Sequence, residues 1–105
     1  MPPAPPYYAV IFTSRSAAFR EGYEDMAREM EETAARQPGF LGIDSVCENG
    51  TGITVSYWRD LESVKQWKNH PRHLVAQKTG REKWYDNYRV RIAKVEREYG
   101  MQRAP

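Results

Sequence analysis

The hydrophobic positions of the chain change period several times, and each change predicts a new element. Residues 7–13 are apolar or aromatic at both phases of a two-residue repeat, which predicts a strand covered on both sides. Apolar residues then recur every three or four positions, which predicts a core-facing helix capped by Ser14 or Ser16 and ended by Pro38 and Gly39. The apolar stripe of this helix consists of Phe19, Tyr23, Met26, Met30 and Ala34.

The middle of the chain predicts a β-hairpin followed by a short helix. Residues 40–48 and 53–58 are strand-like, and the turn Asn49-Gly50-Thr51-Gly52 joins them because Asn and Gly adopt positive φ readily. Asp60 is a suitable N-cap for the helix that follows. Its apolar side carries Leu61, Val64 and Trp67, and it ends where His70 and Pro71 interrupt the pattern.

The last third predicts another helical segment and a final strand. The helical pattern runs from about His73 to Tyr85, and the strand from Tyr88 to about Glu98. The strand changes phase, because Val90 and Ile92 share one face whereas Val95 and Tyr99 lie on the other. We therefore expect a bulge near Ala93, or a strand end that crosses to a partner sheet.

The order of these elements is strand, helix, strand, strand, broken helix, strand. It predicts an α+β, ferredoxin-like split βαβ fold with an antiparallel sheet. We expect one domain over residues 7–99, a disordered proline-rich tail over 1–6 and a C-terminal tail over 100–105. Because strands one to three are apolar at both phases, the sheet face away from the helices predicts a homodimer in which two sheets pack face to face.

Composition narrows the class of protein. No apolar run among the 105 residues is long enough to span a bilayer, and the first residues do not resemble a secretory signal, so we expect a cytoplasmic protein without a membrane contact. Cys47 is the only cysteine, so neither an internal disulfide nor a thiolate metal cluster can form. We expect its side chain to be a small buried hydrophobe.

The net charge of +2 is unevenly distributed along the chain. Residues 1–58 contain four Arg and eight acidic residues, whereas residues 59–105 contain twelve Lys and Arg and six acidic residues. The basic half could attract an anionic ligand, face the acidic half of a neighbouring copy, or simply be solvated. Nucleic acid is not an expected partner, because the strands lack the aromatic motif on which RNA bases stack.

Several segments resemble the antibiotic biosynthesis monooxygenase family. They are Pro38-Gly39-Phe40-Leu41-Gly42, Val55-Ser56-Tyr57-Trp58, the helix from Leu61 to Trp67, the His73 region and Arg81-Glu82-Lys83-Trp84-Tyr85. The resemblance implies a dimeric α+β barrel. It also implies either oxygenation of a phenol or quinol with no cofactor and no metal, or haem degradation. In haem-degrading members an Asn, a Trp and a His form the site; here Trp67 matches, the first strand has no Asn, and Gln77 stands where the haem ligand would be.

Within that resemblance, six residues are candidates for a site. His73 is the candidate proton acceptor, since an unperturbed imidazole has a pKa of about 6.5. Arg81 is the candidate cation for an oxyanion or carboxylate. The candidate substrate-binding residues are Trp67, Gln77, Trp84 and His70. His73, Gln77, Arg81 and Trp84 are spaced as one helical face, but that face could equally be solvated while Leu74 and Val75 face the core.

Three functions follow from these candidates. The leading hypothesis is a cofactor-independent monooxygenase that acts on a small aromatic or quinol compound. The second is a ligand-binding or structural dimer without turnover, in which Trp67 only fills the core. The third is a haem-binding or haem-degrading protein, in which His70 or His73 would be the axial ligand.

Overall fold

The computed structural model describes residues 4–16 and 21–103, which form a four-stranded antiparallel sheet with helices on one side. The elements are β1 (Tyr7–Ser16), α1 (Tyr23–Ala35), β2 (Phe40–Glu48), β3 (Thr51–Trp58), α2 (Leu61–Lys68), α3 (Pro71–Thr79) and β4 (Tyr85–Val95). One π-helical turn, Gly80–Trp84, joins α3 to β4. The strand order is β2-β3-β1-β4, which confirms the α+β ferredoxin-like fold. In the described ranges, no helix combines the length and apolar content needed to cross a membrane.

The first helix begins later than the sequence predicts. β1 continues through Ser16, and Ser14 lies inside the strand, paired with Gly52 on one side. The predicted capping by Ser14 or Ser16 is therefore wrong. The N-cap is Gly22, whose φ of 83° suits glycine. Phe19, the first predicted member of the apolar stripe, lies outside the described residues.

The hairpin between β2 and β3 is confirmed. Asn49 and Gly50 have φ of 52° and 82°, the left-handed values that a tight two-residue turn requires. β3 begins at Thr51, two residues before its predicted start. Cys47, near the end of β2, is exposed, so its predicted burial is wrong.

Short-range contacts fix the start of α2 against the end of α1. Asp60 caps α2 as predicted, since its Oδ1 accepts from the Ser63 backbone N–H at 2.8 Å and from the Ser63 hydroxyl at 2.7 Å. These bonds hold the pKa of Asp60 below its usual value. Gly39 packs so closely that a Cβ there would collide with Ser63 Oγ. Val64 is buried, but Leu61 is exposed and does not join the apolar side as predicted.

The pairing register divides the side chains of the sheet into two faces. On the side covered by helices, here called the helix side, lie Tyr8, Val10 and Phe12 of β1 and their partners on neighbouring strands. On the opposite side, here called the open side, lie Ile11 and its partner Val55. The core is on the helix side. It comprises the buried residues Ala34, Trp58, Val64 and Trp67, with Tyr8, Val10, Met30 and Phe40 packed against them.

β4 begins and ends three residues earlier than predicted. Its irregularity also lies elsewhere. The register shifts between the partners of Arg15 and Ser16, near the start of β4, whereas Ala93 pairs regularly with Ala9. The predicted bulge near Ala93 is therefore wrong, and Tyr99 lies beyond the end of the strand. The crossing of the strand end to a partner sheet stays a prediction.

Candidate functional site

Three aromatic rings are stacked in the core beneath the break between α2 and α3, and we call them the indole stack: Trp58, Trp67 and His73. Trp67 lies between the other two, with ring centroids 6.1 Å from Trp58 and 4.2 Å from His73, and interplanar angles of 22° and 15°. Trp58 is fully buried, and its indole N–H donates to Ser56 Oγ at 2.9 Å. Because both faces of Trp67 are covered, only its edge is available to a ligand.

The break between the two helices places both histidines. Pro71 occupies the first turn of α3, where no backbone donor is required, and His70 is the N-cap, its Nδ1 accepting from the Arg72 N–H at 3.1 Å. His73 reaches back to α2, with its Nδ1 2.9 Å from the Trp67 carbonyl oxygen. Since a carbonyl only accepts hydrogen bonds, Nδ1 carries the hydrogen and Nε2 keeps the lone pair.

The environment of His73 favours the neutral imidazole. Burial lowers its pKa, and the nearby His70 lowers it further, while the hydrogen bond to the Trp67 carbonyl opposes the shift. The sequence alone indicated an ordinary pKa for this residue. A neutral ring at pH 7 with a free lone pair on Nε2 can accept a proton.

An ion pair holds α3 against α1. Arg72 donates through Nε and a terminal nitrogen to the two carboxylate oxygens of Glu29, at 2.6 Å and 2.8 Å. This bidentate geometry lowers the pKa of Glu29 because the hydrogen bonds favour the charged carboxylate. Arg72 precedes His73 in the sequence, so the ion pair anchors the helical turn that carries the imidazole.

The remaining predicted site residues do not share one helical face. Gln77 donates from its side chain to the carbonyl of Lys68 at 2.8 Å, and so caps the end of α2. Beyond Thr79 the backbone widens into the π turn, which breaks the helical spacing. Arg81 is exposed on that turn, whereas Trp84 is buried and donates to the Glu21 carbonyl at 3.0 Å. The structure therefore brings the rings of Trp67, His70 and His73 together, whereas Arg81 and Trp84 lie on the π turn and differ in burial.

A second aromatic group, which the sequence did not reveal, surrounds the start of β4. We call it the tyrosine cluster: Phe12, Tyr23, Trp84, Tyr85 and Tyr88. Phe12 stacks on Tyr88 with centroids 5.4 Å apart and meets Tyr85 edge-on at 5.3 Å, and Tyr23 meets Trp84 at 5.5 Å. Its members come from four separate elements. Tyr88 shares a two-residue phase with Val90 and Ile92 in the sequence, but no local pattern indicates that it meets Phe12.

Those three side chains form an exposed apolar strip on the helix side of β4, here called the β4 stripe. Tyr88, Val90 and Ile92 are 39%, 48% and 53% exposed. Ile92 pairs with Val10, which packs against the indole stack, and Val90 pairs with Phe12 of the tyrosine cluster. Neighbouring strands are about 4.8 Å apart, so the stripe connects the two aromatic groups.

The space around these groups differs from the sequence-based expectation. The indole stack fills the space under the interrupted helix, where a substrate bound between Trp67 and His73 would have to lie. Leu74 and Val75 of α3 are exposed, so the interpretation in which they face the core is wrong. Two depressions lie elsewhere and contain no predicted site residue: one of about 750 Å³ at the β2–β3 hairpin, and one of about 250 Å³ on the open side.

The described residues offer limited means of holding a metal or haem. Within residues 4–16 and 21–103, no three His, Cys, Asp or Glu side chains converge as metal ligands would. His70 and His73, the candidate axial ligands, both use Nδ1 in hydrogen bonds within the chain. Because Nδ1 of His70 accepts its hydrogen bond, Nε2 of that neutral ring carries the hydrogen, whereas Nδ1 of His73 donates and leaves a lone pair on Nε2. Of these two rings, His73 is therefore the one that presents a lone pair to an iron.

Comparisons with known proteins agree with this fold. A profile described as antibiotic biosynthesis monooxygenase matches residues 6–79. The "Uncharacterized protein YqjZ" of Bacillus subtilis is 50% identical over 91% of this chain and 85% of its own length. The "Jasmonate monooxygenase ABM" of Pyricularia oryzae is 28% identical over 84% of this chain and 43% of its own length. The crystal structure of SnoaB, a cofactor-independent oxygenase from Streptomyces nogalater, has a TM-score of 0.76 at 13% identity, covering 90% of this chain and 97% of SnoaB.

Proposed function

Because this chain belongs to the antibiotic biosynthesis monooxygenase family, we propose that it is a cofactor-independent monooxygenase acting on a small aromatic compound of the quinol type. One observation carries the proposal: Ile92 of the exposed β4 stripe pairs with Val10, which packs against the core that contains Trp67, and the neutral imidazole of His73 stacks on Trp67. A planar apolar substrate can lie on the stripe beside the tyrosine cluster. The relatives named as monooxygenase and oxygenase support the reaction type.

The proposed reaction needs one base and no external reductant. Nε2 of His73 accepts a phenolic proton, and the resulting anion donates electrons to dioxygen. One oxygen atom is added to the ring and the other leaves as water, so a quinol and O₂ give a hydroxyquinone and H₂O. The hydrogen bond from Nδ1 to the Trp67 carbonyl supports the imidazolium that forms during the transfer.

The other candidate residues have supporting roles in this proposal. Arg81, exposed on the π turn that leads into β4, neutralises the substrate anion. Trp84 closes one end of the tyrosine cluster, and Trp67 presents its ring edge. Gln77 and His70 act through position, because each holds an end of α2 or α3 by a hydrogen bond to the backbone.

Oxygen uptake tests the proposal. Purified protein is mixed with a panel of naphthohydroquinones and anthrahydroquinones in an oxygen electrode, and the product mass is checked for the gain of one oxygen atom and the loss of two hydrogen atoms relative to the quinol. We expect uptake above the spontaneous rate, and a loss of about 10²-fold or more in His73→Asn, which keeps a hydrogen-bond donor near the position of Nδ1 but removes the base. Lys65→Ala, on an exposed part of α2, is the control. Uptake that His73→Asn leaves unchanged would remove His73 from the mechanism.

A ligand-binding protein without turnover is the second candidate, and one observation favours it. Both faces of Trp67 are covered and His73 is bonded to the backbone, as in residues that only complete a core. Binding of the same quinols without oxygen uptake would identify this function. Addition of hemin tests the third possibility, because axial ligation by an imidazole shifts the Soret band. A shift in the wild type that is lost in either His70→Ala or His73→Ala would support haem binding and identify the ligand.

The proposed enzyme works as a homodimer. The open side of the sheet carries Val46, which is 68% exposed, and Ile53, which is 43% exposed, next to Val55 and Ile11. An apolar face of this kind is stabilised when a second sheet covers it. Sedimentation equilibrium at micromolar concentration measures this association directly.

A further inference from the structure

The open side of the sheet carries opposite charges at its two edges. The acidic edge is β2, where Asp44 and Glu48 point to the open side, and the basic edge is β4, where Arg89 and Arg91 do so. Among residues 4–16 and 21–103, none of these four side chains forms an ion pair within 4 Å. The face therefore carries unpaired charges of both signs, separated by the two central strands.

The register puts one acid and one base in the same row. Asp44 on β2 pairs with Val55 on β3, Val55 pairs with Ile11 on β1, and Ile11 pairs with Arg91 on β4. The row thus has a carboxylate at one end, a guanidinium at the other and two β-branched apolar residues between them. When the same row of a second copy is turned end to end and laid against it, each carboxylate faces a guanidinium and the apolar residues face each other.

The acidic end of this row opens into a depression of about 250 Å³. Its lining comprises Tyr7, Leu41, Asp44, Tyr57 and Glu98. Tyr57 donates to Asp44 Oδ2 at 3.0 Å, which orients the carboxylate, and the rings of Tyr7 and Tyr57 meet edge-on at 6.0 Å. Two carboxylates beside aromatic rings provide both the charge and the π surface that a guanidinium prefers.

A two-fold axis parallel to the strands brings these features together. Sheets that pack face to face lie about 10 Å apart with strands aligned to within about 30°. Rotation about such an axis reverses the strand order, so β2 of one copy lies over β4 of the other. Asp44 then faces the partner's Arg91, and the apolar centres of the two rows meet.

We infer that two copies of this chain dock with Arg91 of each inserted into the Tyr7–Tyr57 depression of the other, where Asp44 and Glu98 receive it. This inference rests on the proposed homodimer and specifies its orientation. The alternative axis, perpendicular to the strands, would place β2 over β2 and bring like charges together. The charge pattern therefore selects one of the two face-to-face arrangements.

A charge swap tests the inference, with the dimer dissociation constant measured by sedimentation equilibrium. Asp44→Arg and Arg91→Asp, each alone, should raise the constant by about tenfold or more. The double variant should dimerise at least about threefold more tightly than either single variant, because the contact between positions 44 and 91 re-forms with opposite sign, although Glu98 then faces the introduced carboxylate. Asp44→Asn, which can still accept from Tyr57, separates loss of charge from loss of that hydrogen bond. Glu62→Lys, exposed on α2, is the matched control.

The possible outcomes are distinct. Single variants that dimerise like wild type, or a double variant that dimerises no more tightly than either single variant, would overturn the inference while leaving a dimer of another orientation. A wild-type protein that is monomeric at 100 micromolar or so would overturn both the orientation and the dimer. Oxygen uptake is measured separately, so failure of the proposed reaction would not be mistaken for failure of this interface.

Discussion

The indole stack and the tyrosine cluster are both aromatic, but only the indole stack is shielded from solvent. Trp58 has no exposed surface, and Trp67 is covered on both faces. Tyr88, in contrast, stacks on Phe12 and still exposes 39% of its surface. Aromatic content alone therefore does not identify a binding surface in this protein; what matters is which rings have a neighbour on each side.

The difference arises from the path of the helices over the sheet. α2 packs against β1 and β3, over the row in which Tyr8 pairs with Trp58, and buries the indole rings there. The chain then passes from α3 through the π turn to reach β4, and this single turn is what contacts the start of that strand. The helix side of β4 is left partly uncovered, and this is where we place the substrate.

The substitution with the largest expected effect is Trp58→Ala, which tests the indole stack. Removing a fully buried indole leaves a cavity and an unpaired Ser56 hydroxyl, so we expect a loss of about 3–5 kcal/mol in the free energy of unfolding. Urea unfolding monitored by circular dichroism measures the change. A loss below about 1 kcal/mol would show that the indole stack is not the core of the fold.

Gly80→Ala should act on the junction between the two regions. A Cβ at Gly80 would lie 2.7 Å from Cε2 of Tyr85, so the tyrosine ring must move or the π turn must shift. We expect a destabilisation of about 1–3 kcal/mol by overpacking, together with a change in the near-ultraviolet signal of the tyrosines. Gly100→Ala is the matched control because, apart from Gly100 and its two chain neighbours, none of the described residues has a heavy atom within 4 Å of the added carbon. Equal stability of the two variants would contradict the close packing at Gly80.

The pH dependence of stability tests the burial of His73. Its pKa is lowered in the folded protein, so below a pH of about 6.5 the unfolded chain binds the proton more readily and stability falls as the pH falls. His73→Asn removes this titration. The stability gap between wild type and variant should therefore narrow from pH 7.5 to pH 5, measured by urea unfolding. A gap independent of pH would show that His73 is not held neutral by the fold.

Local patterns in the sequence predicted the order of the elements well, and long-range geometry less well. The Asn49-Gly50 turn, the Asp60 cap and the break at Pro71 depend on neighbours in the chain, and all three were correct. The predicted face from His73 to Trp84 assumed that helical spacing continues, but the π turn ends it. The tyrosine cluster depends on the register between β1 and β4, which no short segment specifies.

Tyr88→Ala should have the smallest effect on stability and a clear effect on binding. The ring is partly exposed, so its removal should cost about 1 kcal/mol or less, but the β4 stripe loses the aromatic surface that we assign to the substrate. With 8-anilinonaphthalene-1-sulfonate as a fluorescent probe, we expect binding to weaken by about threefold or more. Tyr99→Ala is the matched control, since Tyr99 is 99% exposed and lies beyond β4. If both variants bind the probe equally well, the β4 stripe is not the binding surface. The indole stack and the tyrosine cluster then differ only in how tightly their rings are packed.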